Sequence, residues 1–184
     1  MTSISINIPT LETERLVLRP PHEADFEDNV VFYASDRSRG FGGPLTREQT
    51  WRNLATVLGH WVIRGYGFWS VDEKATGQYC GNVGLWAPEG WQEPEIGWAL
   101  NARAEGKGIA FGAAQASRDY AYGPLNWDTA ISSIVPGNVR SAALARRMGA
   151  TLENIYDHPS YGPMEIWRHP SPDELRSGGI EVNS

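Results

Sequence analysis

The sequence has few of the features that would place it outside the ordinary globular class. It contains a single cysteine, Cys80, so an internal disulfide and any multi-cysteine zinc or iron–sulfur site are excluded. No hydrophobic run approaches the roughly 18 apolar residues that a membrane span needs. The N-terminus lacks the basic start and long apolar block of a secretory signal. We therefore expect a cytoplasmic protein with no membrane partner.

Positive charge is also scarce. Sixteen lysine and arginine residues stand against 22 aspartate and glutamate residues, which gives a formal net charge of −6. A nucleic-acid-binding face needs clustered basic residues that release counterions, so we expect no nucleic-acid partner. The four histidines have no metal-like spacing with one another or with Cys80, so we expect no metal site.

The residues that are present make up one domain of ordinary composition. The chain has 184 residues, of which 41% are hydrophobic and 21% charged, and a single domain commonly has about 100 to 200 residues. We predict a domain over residues 1–170 and a flexible tail over residues 171–184. Eight tryptophans are unusual, but large aromatics scattered through strands and helices are more often core residues than base-stacking groups. Most of them are therefore predicted to be core.

Hydrophobic periodicity and turn residues divide the chain into strands and helices. Strand patterns cover residues 15–19, 68–72, 78–86, 93–100, 129–135, 151–156 and 164–169. Helix patterns cover residues 22–35, a stretch capped by Thr46, a stretch from Gly108 to Tyr122, and residues 139–148, while the glycine-rich residues 36–45 are predicted to be loop. This order predicts an α/β (α+β) domain with a mixed, mostly antiparallel seven-stranded sheet and helices on both faces.

The most informative turn joins the strand that ends near Leu100 to the helix that follows. At Gly106 and Gly108 the main chain can approach a ligand with no side chain between, and Arg103 and Lys107 can add charge at the rim. The first amides of a helix have no partner within it and the helix dipole adds partial positive charge, so the turn suits a phosphate or pyrophosphate. The alternative is a tight turn that uses glycine only for its geometry.

Two well-known phosphate motifs do not fit this turn. The loop of nucleoside triphosphatases places Lys and then Ser or Thr after its second glycine, whereas Lys107 lies between the two glycines. A dinucleotide fingerprint needs a small residue where Phe111 stands. Small residues line one stripe of the following helix, which lets it pack close to a sheet and fixes its N-terminus: Ala110, Ala113, Ala114, Ser117 and Ala121.

Four segments, in order, resemble the GNAT superfamily of N-acetyltransferases. Arg103-x-x-Gly106-x-Gly108-x-Ala110 is similar to its acetyl-coenzyme A pyrophosphate loop, and residues 95–100 resemble its fourth strand. Residues 138–150, with Asn138 as a predicted helix cap, are similar to the helix that comes later in the fold. Residues 11–20 resemble the opening strand of the branch related to ribosomal-protein N-terminal acetyltransferases.

The resemblance implies an acyl-CoA N-acyltransferase-like fold with acetyl-CoA as cosubstrate. The family's fourth and fifth strands, here residues 93–100 and 129–135, would splay apart with the pantetheine arm between them. Gly97 is consistent with a bulge that frees backbone groups, or with a glycine that accommodates a neighbour. The residues implied to bind the coenzyme are Trp98, Ala99, Leu100, Arg103, Glu105, Gly106, Lys107, Gly108, Ile109, Ala110 and Asn138.

Acetyl transfer to an amine needs a neutral nucleophile and a stabilised leaving group. At pH 7 the free energy of deprotonation is about 1 kcal/mol for an α-amine and about 4.6 kcal/mol for a lysine. A modest base therefore suffices for the α-amine. Glu95 is the candidate base, directly or through a water, because an apolar strand can raise a carboxylate pKa towards the working range. The alternative is an ordinary solvent-facing carboxylate. Ser141 resembles the family's leaving-group donor, with Tyr122, Tyr156 and Tyr161 as alternatives.

The predicted function is direct transfer of an acetyl group from acetyl-CoA to a primary amine, of a peptide N-terminus or a small molecule. The alternative is an acyl-CoA-binding module without catalysis. We expect the acceptor pocket to involve the two N-terminal helices and the loop near residues 157–162. Exposed edge strands offer a route to a homodimer. Four acidic residues near the first helix could attract a cationic peptide or polyamine: Glu23, Asp25, Asp28 and Asp36.

Overall fold

The computed structural model describes residues 6–178, which form a sheet with helices around it. The strands are β1 (Leu11–Glu12), β2 (Leu16–Arg19), β3 (Phe68–Glu73), β4 (Gln78–Trp86), β5 (Glu95–Leu100), β6 (Ile131–Ile134), β7 (Thr151–His158) and β8 (Gly162–Arg168). The α-helices are α1 (Phe26–Tyr33), α2 (Arg47–Arg64), α3 (Ile109–Tyr122), α4 (Val139–Arg147) and α5 (Pro172–Ser177). No helix within these residues combines the length and apolar character that a membrane crossing needs.

Within residues 6–178 the eight strands form one sheet in the order β1-β2-β3-β4-β5-β6-β8-β7. Neighbouring strands are antiparallel except for β5 and β6, which are parallel. The predicted mixed, mostly antiparallel sheet is confirmed. The predicted count of seven strands is one short, because Leu11 and Glu12 pair with Leu18 and Val17 at the sheet edge. A two-residue strand has no periodicity by which a pattern could find it.

The N-terminal helical region is more broken than the prediction of one helix over residues 22–35. A 3-10 turn covers Glu23–Asp25 and α1 follows it. The turn is held by two local bonds, because His22 Nδ1 accepts from the Ala24 amide while the Asp25 carboxylate accepts from the His22 amide. A second 3-10 segment, Asp36–Phe41, occupies part of the predicted loop over residues 36–45.

Helices cover both faces of the sheet, as predicted. Successive side chains of a strand point to opposite faces, and β5 shows which helices lie on which side. Ala99 packs against Phe32 and Tyr33 of α1, whereas Ile96 packs in the cluster that contains α3. Thr46 caps α2 as predicted: its hydroxyl accepts from the Gln49 amide, and the Gln49 side chain accepts from the Thr46 amide.

The small-residue stripe of α3 brings this helix close to the sheet. Ala113, Ala114, Ser117 and Ala121 are fully buried, while Ala110 at the start of the stripe is half-buried. The stripe packs against fully buried side chains of β4 and β5, including Val83 and Ile96. Because this contact is tight, the N-terminus of α3 has a fixed position at the end of β5.

A buried carboxylate ties the start of α1 to the sheet. Asp25 is 3% exposed and accepts two hydrogen bonds from the Arg19 guanidinium, at 2.9 and 2.7 Å. It also accepts from the Ser70 hydroxyl at 2.6 Å and from the His22 amide at 3.1 Å. Burial acts to raise the pKa of Asp25, but the bonds from Arg19, Ser70 and His22 outweigh it and lower that pKa below its usual value.

The chain beyond Pro170 is not entirely the flexible tail predicted over residues 171–184. Residues 172–177 form α5, whose N-terminus is capped because the Ser171 hydroxyl accepts from the Glu174 amide and the Glu174 carboxylate accepts from the Ser171 amide. Tyr122 donates its hydroxyl to the Pro170 carbonyl at 2.9 Å, which fixes the chain just before this helix. Residues 179–184 of the predicted tail lie outside the described part of the chain.

Candidate active site

The parallel strands β5 and β6 pair only where they begin. Their register contains the single pair Glu95 and Ile131, and the residues after these points line a cleft between the strands. The backbone groups of β5 that face β6 beyond Glu95 therefore have no ladder partner in the described structure. This is the splay that the resemblance implies for residues 93–100 and 129–135.

Two cavities open along this cleft and meet inside it. The first, which we call the Glu95 cavity, has a volume of about 120 Å³ and lies among Glu95, α1, α2 and β8. The second, the loop groove, has a volume of about 1050 Å³ and runs along residues 104–111 and the start of α4. The residues that line both include Trp98, Ala99, Asn138 and Ser141. At these four residues the two cavities adjoin.

The glycine turn before α3 has the backbone that the sequence predicts. Gly106 and Gly108 have φ angles of 72° and 76°, in the left-handed region that favours glycine. Gly108 is the N-cap residue of α3 and supplies no side-chain cap to the first amides of the helix. A Cβ atom at Gly106 would meet nothing within 4 Å, so the turn leaves open space on its outer side. Free amides, a helix dipole and open space suit a phosphate group.

Most of the residues implied to bind the coenzyme line the loop groove, and two do not. Those that line it are Trp98, Ala99, Leu100, Glu105, Gly106, Gly108, Ile109, Ala110 and Asn138. The Arg103 guanidinium instead donates to both carboxylate oxygens of Asp28, at 2.9 and 2.7 Å, and to the Tyr79 carbonyl. Lys107 accepts a bond from Arg15 on its carbonyl, and its side chain is exposed outside the groove. Neither side chain lines the loop groove in the structure, so positive charge from Arg103 and Lys107 at its rim stays a prediction.

The positive charge at the groove comes from residues that the sequence patterns do not indicate. Arg37, in the 3-10 segment after α1, and Arg140, in the first turn of α4, both bind the carboxylate of Glu105. The distance from Arg140 to Glu105 is 2.6 Å. Two guanidinium groups around one carboxylate leave a net positive charge beside the glycine turn. Arg37 lies 68 positions from Glu105 in the chain, which is why local spacing carries no signal for the pair.

Glu95 is a buried carboxylate and not a solvent-facing one. Its exposed fraction is 8%, and the Trp91 indole donates to one of its oxygens at 2.8 Å. Burial raises the pKa of Glu95 to about 7, against smaller lowering effects from hydrogen bonds of Trp91 and Ser133. A carboxylate with this pKa exists in both protonation states near neutrality, which is the property that a general base needs.

Gly97 does not form a bulge. The register between β4 and β5 is continuous through the pair of Gly84 and Gly97. A Cβ atom at Gly97 would stand 2.8 Å from the ring of Phe68 and 3.4 Å from a carboxylate oxygen of Glu95. The glycine therefore accommodates a neighbouring ring and keeps space beside the carboxylate, which is the second of the two interpretations given by the sequence.

Ser141 lies where the two cavities meet. Asn138 caps α4 as predicted, because its side-chain oxygen accepts from the Ser141 amide at 3.2 Å. The Trp98 indole donates to the Ser141 hydroxyl oxygen, also at 3.2 Å. The hydroxyl keeps its own proton free to donate, so its orientation is fixed while its donor capacity remains.

The structure distinguishes the three tyrosines that the sequence offers as alternatives to Ser141 as the leaving-group donor. Tyr161 lines the Glu95 cavity. Tyr122 donates to Pro170, and Tyr156 packs against the cluster of Ile131, Met164 and Ile166. Tyr33 also lines the cavity, and the sequence analysis missed it because the helical pattern of α1 marks it as a core residue.

The tryptophans divide between the core and the cleft. Trp61, Trp69 and Trp167 are buried, whereas Trp51 is 48% exposed. Trp86, Trp91 and Trp98 line the Glu95 cavity. The prediction that most tryptophans are core residues thus undercounts those at the site.

Comparisons with known proteins agree with this geometry. A family model described as an acetyltransferase (GNAT) domain matches residues 15–151. An acetyltransferase from Agrobacterium tumefaciens is 38% identical, has a TM-score of 0.81, and is aligned over 92% of this chain and 98% of its own. A ribosomal-protein S5 alanine acetyltransferase from Vibrio fischeri is 17% identical, with a TM-score of 0.66, over 90% of this chain and 98% of its own. A ribosomal α-N-protein acetyltransferase in complex with coenzyme A is 18% identical, with a TM-score of 0.73, and is aligned over 88% of this chain and 98% of its own. The last two likenesses concern the fold alone.

Proposed function

Because this chain belongs to the GNAT acetyltransferase family, whose cosubstrate is acetyl-CoA, we propose that it transfers the acetyl group to a primary amine by direct attack of the amine on the thioester. The observation that carries the proposal is the meeting of the loop groove with the Glu95 cavity at Trp98, Ala99, Asn138 and Ser141. A thioester placed there has a coenzyme-sized groove on one side and a buried carboxylate on the other.

The loop groove fits the coenzyme in both size and chemistry. Its volume of about 1050 Å³ lies just above the usual range for ligand pockets, as a long cofactor requires. The amides at Gly108 and the first turn of α3 would hold the diphosphate, and Arg37 and Arg140 stand beside them for the phosphate charges. Backbone groups of β5 that lack a strand partner would hold the pantetheine arm, with Asn138 beside it.

Glu95 is the proposed general base. The attack forms a bond between the amine nitrogen and the acetyl carbon and breaks the bond between that carbon and sulfur. The amine proton passes to Glu95, directly or through a water. With a pKa of about 7, the carboxylate is about half ionised at neutral pH and can accept this proton.

Ser141 is the proposed donor to the departing sulfur. The Trp98 indole and the Asn138 cap orient the serine, whose hydroxyl proton would be directed towards the thiolate as it forms. Backbone amides of β5 around Trp98 and Ala99 would stabilise the charge that develops on the carbonyl oxygen. Such positioned donors commonly contribute more to the rate than a proton-transfer group does.

Acetyl-CoA binding and turnover are measured separately to test the proposal. We expect calorimetric titration to show binding of acetyl-CoA, and a thiol-release assay to show turnover with at least one primary amine. Tight binding without release from any amine would identify an acyl-CoA-binding module. Absence of binding would contradict both functions.

Ser141→Ala tests the assignment of the leaving-group donor. We expect kcat to fall about 100-fold, the lower end of the effect of a proton donor, with the affinity for acetyl-CoA nearly unchanged. The matched variant is Tyr161→Phe, which removes the hydroxyl of the cavity tyrosine and should change kcat by less than about threefold. Steady-state thiol release with both variants decides between them, since the opposite ranking assigns the donor to Tyr161.

A further inference from the structure

Aromatic rings form a large part of the walls of the Glu95 cavity. Seven of the residues that line it are aromatic, and besides Tyr33 and Trp98 they are Phe41, Phe68, Trp86, Trp91 and Tyr161. The rings also brace one another: Trp91 and Tyr161 meet edge to face with centroids 5.7 Å apart, and Phe68 and Trp86 lie 5.6 Å apart. Such contacts hold the rings in place, so the cavity has a defined shape before any acceptor enters.

The size of the cavity corresponds to one small apolar group. Its volume is about 120 Å³, whereas an engineered apolar cavity of about 150 Å³ binds a benzene ring. One aromatic ring or a branched alkyl group is therefore close to the capacity of this cavity. A long flexible chain would extend beyond it.

Charge in the cavity is limited to one carboxylate. Among the described residues that line it, Glu95 is the only acidic one and no lysine or arginine is present. The proposed role of Glu95 is to accept the proton of the attacking amine, so its charge is used by that amine. The other polar lining groups, among them Asn53 and Asn82, are neutral, and the Trp91 indole occupies one oxygen of Glu95. A second ammonium group of an acceptor would lose its water here without gaining a counter-charge.

The acidic residues near α1 do not supply that counter-charge. Asp25 is bound by Arg19, Asp28 by Arg103, and Asp36 by Arg39. The expectation that these carboxylates attract a cationic peptide or polyamine is therefore not supported, because three of the four already have a cationic partner. None of them lines the Glu95 cavity.

Resting on the proposed function, we propose that the acceptor is a primary amine whose nitrogen lies one or two carbons from an aromatic ring or a branched apolar group, with no second cation nearby. The amine nitrogen faces Glu95 and the thioester, and the apolar group fills the space between the rings. A free arylalkylamine and the N-terminal residue of an uncharged peptide share this chemistry.

The test compares amines with the full-length enzyme at saturating acetyl-CoA. The panel contains 2-phenylethylamine, ethylamine, putrescine, and the peptide amide Phe-Ala-Ala. We expect kcat/KM for 2-phenylethylamine to exceed that for ethylamine by about 30-fold, because the apolar group is buried only in the first. It should exceed that for putrescine by about 100-fold because of the unpaired second cation. Turnover of the peptide amide would extend the same chemistry to peptide N-termini, and its absence would restrict it to free amines.

A variant that is expected to gain activity gives a second test, because misfolding can lower an activity but does not create one. Asn53→Asp places a carboxylate at the cavity wall with almost no change of volume. We expect the ratio of kcat/KM for putrescine to that for 2-phenylethylamine to rise about tenfold, because the second cation then has a partner. Val57→Ala, at the same wall and without charge, should leave this ratio unchanged within about threefold.

The outcomes separate this inference from the proposed function. If ethylamine and putrescine are acetylated as well as 2-phenylethylamine, or if Asn53→Asp does not shift the ratio, the acceptor class is wrong while the acetyltransferase function stands. If acetyl-CoA binds but no amine of any class releases thiol, the proposed function fails, and this inference fails with it.

Discussion

Replacing Glu95 by glutamine is expected to lower kcat for amine acetylation about 1000-fold, within the range of 10²–10⁴ typical of a general base. Glutamine keeps the shape of the side chain and an oxygen that can accept from the Trp91 indole. It cannot accept the amine proton. Binding of acetyl-CoA in the loop groove should be unchanged, because Glu95 lines only the other cavity.

The pH profile gives a second readout for Glu95. The base must be ionised to act, so the ratio of wild-type kcat to that of the glutamine variant at the same pH, which cancels the titration of the amine, should rise through an apparent pKa of about 7 and level off above it. The limb that belongs to Glu95 should be absent in the glutamine variant. A variant that keeps more than about a third of the activity at about pH 8 would contradict the assignment.

The stability of the glutamine variant at Glu95 shows whether its loss of activity comes from the chemistry or from misfolding. Because the pKa of Glu95 is raised from 4.5 to about 7 in the folded state, that state holds the proton more tightly, so the free energy of unfolding falls as the pH rises between these two values and stays lower above them. Glutamine removes this effect, so the variant should be at least as stable as the wild type at alkaline pH. The matched control is Glu89→Gln, at a fully exposed carboxylate, which should leave kcat unchanged.

Replacing Asp25 by alanine is expected to lower the free energy of unfolding by about 3 kcal/mol, since it removes the acceptor of two Arg19 hydrogen bonds and of the buried Ser70 hydroxyl. The value is at the low end for a broken buried pair, because Arg19 keeps Asp72 as a partner. For a chain of this size the melting temperature should fall by about 10 °C. Thermal and urea unfolding at neutral pH measure both quantities.

A surface pair is the control for Asp25. Asp36→Ala removes a partner of Arg39 whose side chain is 70% exposed, and it should change stability by less than about 0.5 kcal/mol. Because the pKa of Asp25 is lowered in the fold, its contribution is complete near neutrality and is lost as the pH falls through that lowered value. An Asp25→Ala variant within about 1 kcal/mol of the wild type at neutral pH would show that the network does not stabilise the fold.

Features that depend on neighbouring residues in the chain were predictable. Gly106 and Gly108 adopt the expected backbone, Asn138 caps α4, and Thr46 caps α2. In each case a turn or cap is decided by backbone conformation and by bonds that reach three residues or fewer. The order of strands and helices follows from the same local signals, apart from the two-residue strand β1.

Features that depend on distant partners were not predictable. The Arg103 side chain was assigned to the groove because of its place in a motif, but Asp28, 75 positions away, binds it. The buried state of Glu95 depends on the connection that carries Trp91, and no periodic pattern places that ring over the strand. Likewise Arg37 and Tyr33 reach the site through tertiary packing of the region after α1.

The single pairing between β5 and β6 also has an evolutionary consequence. The proposed position of the thioester therefore lies between two walls that are built from different segments of the chain. A strand end, a glycine turn and a helix start form the wall of the loop groove, and the packing of α3 on the sheet holds them. The opposite wall comes largely from α2, the 3-10 segment and the connections that carry Trp91 and Tyr161. A descendant enzyme can therefore exchange these connecting segments and acquire a new acceptor while it inherits the donor wall intact, and a protein engineer can graft them for the same purpose.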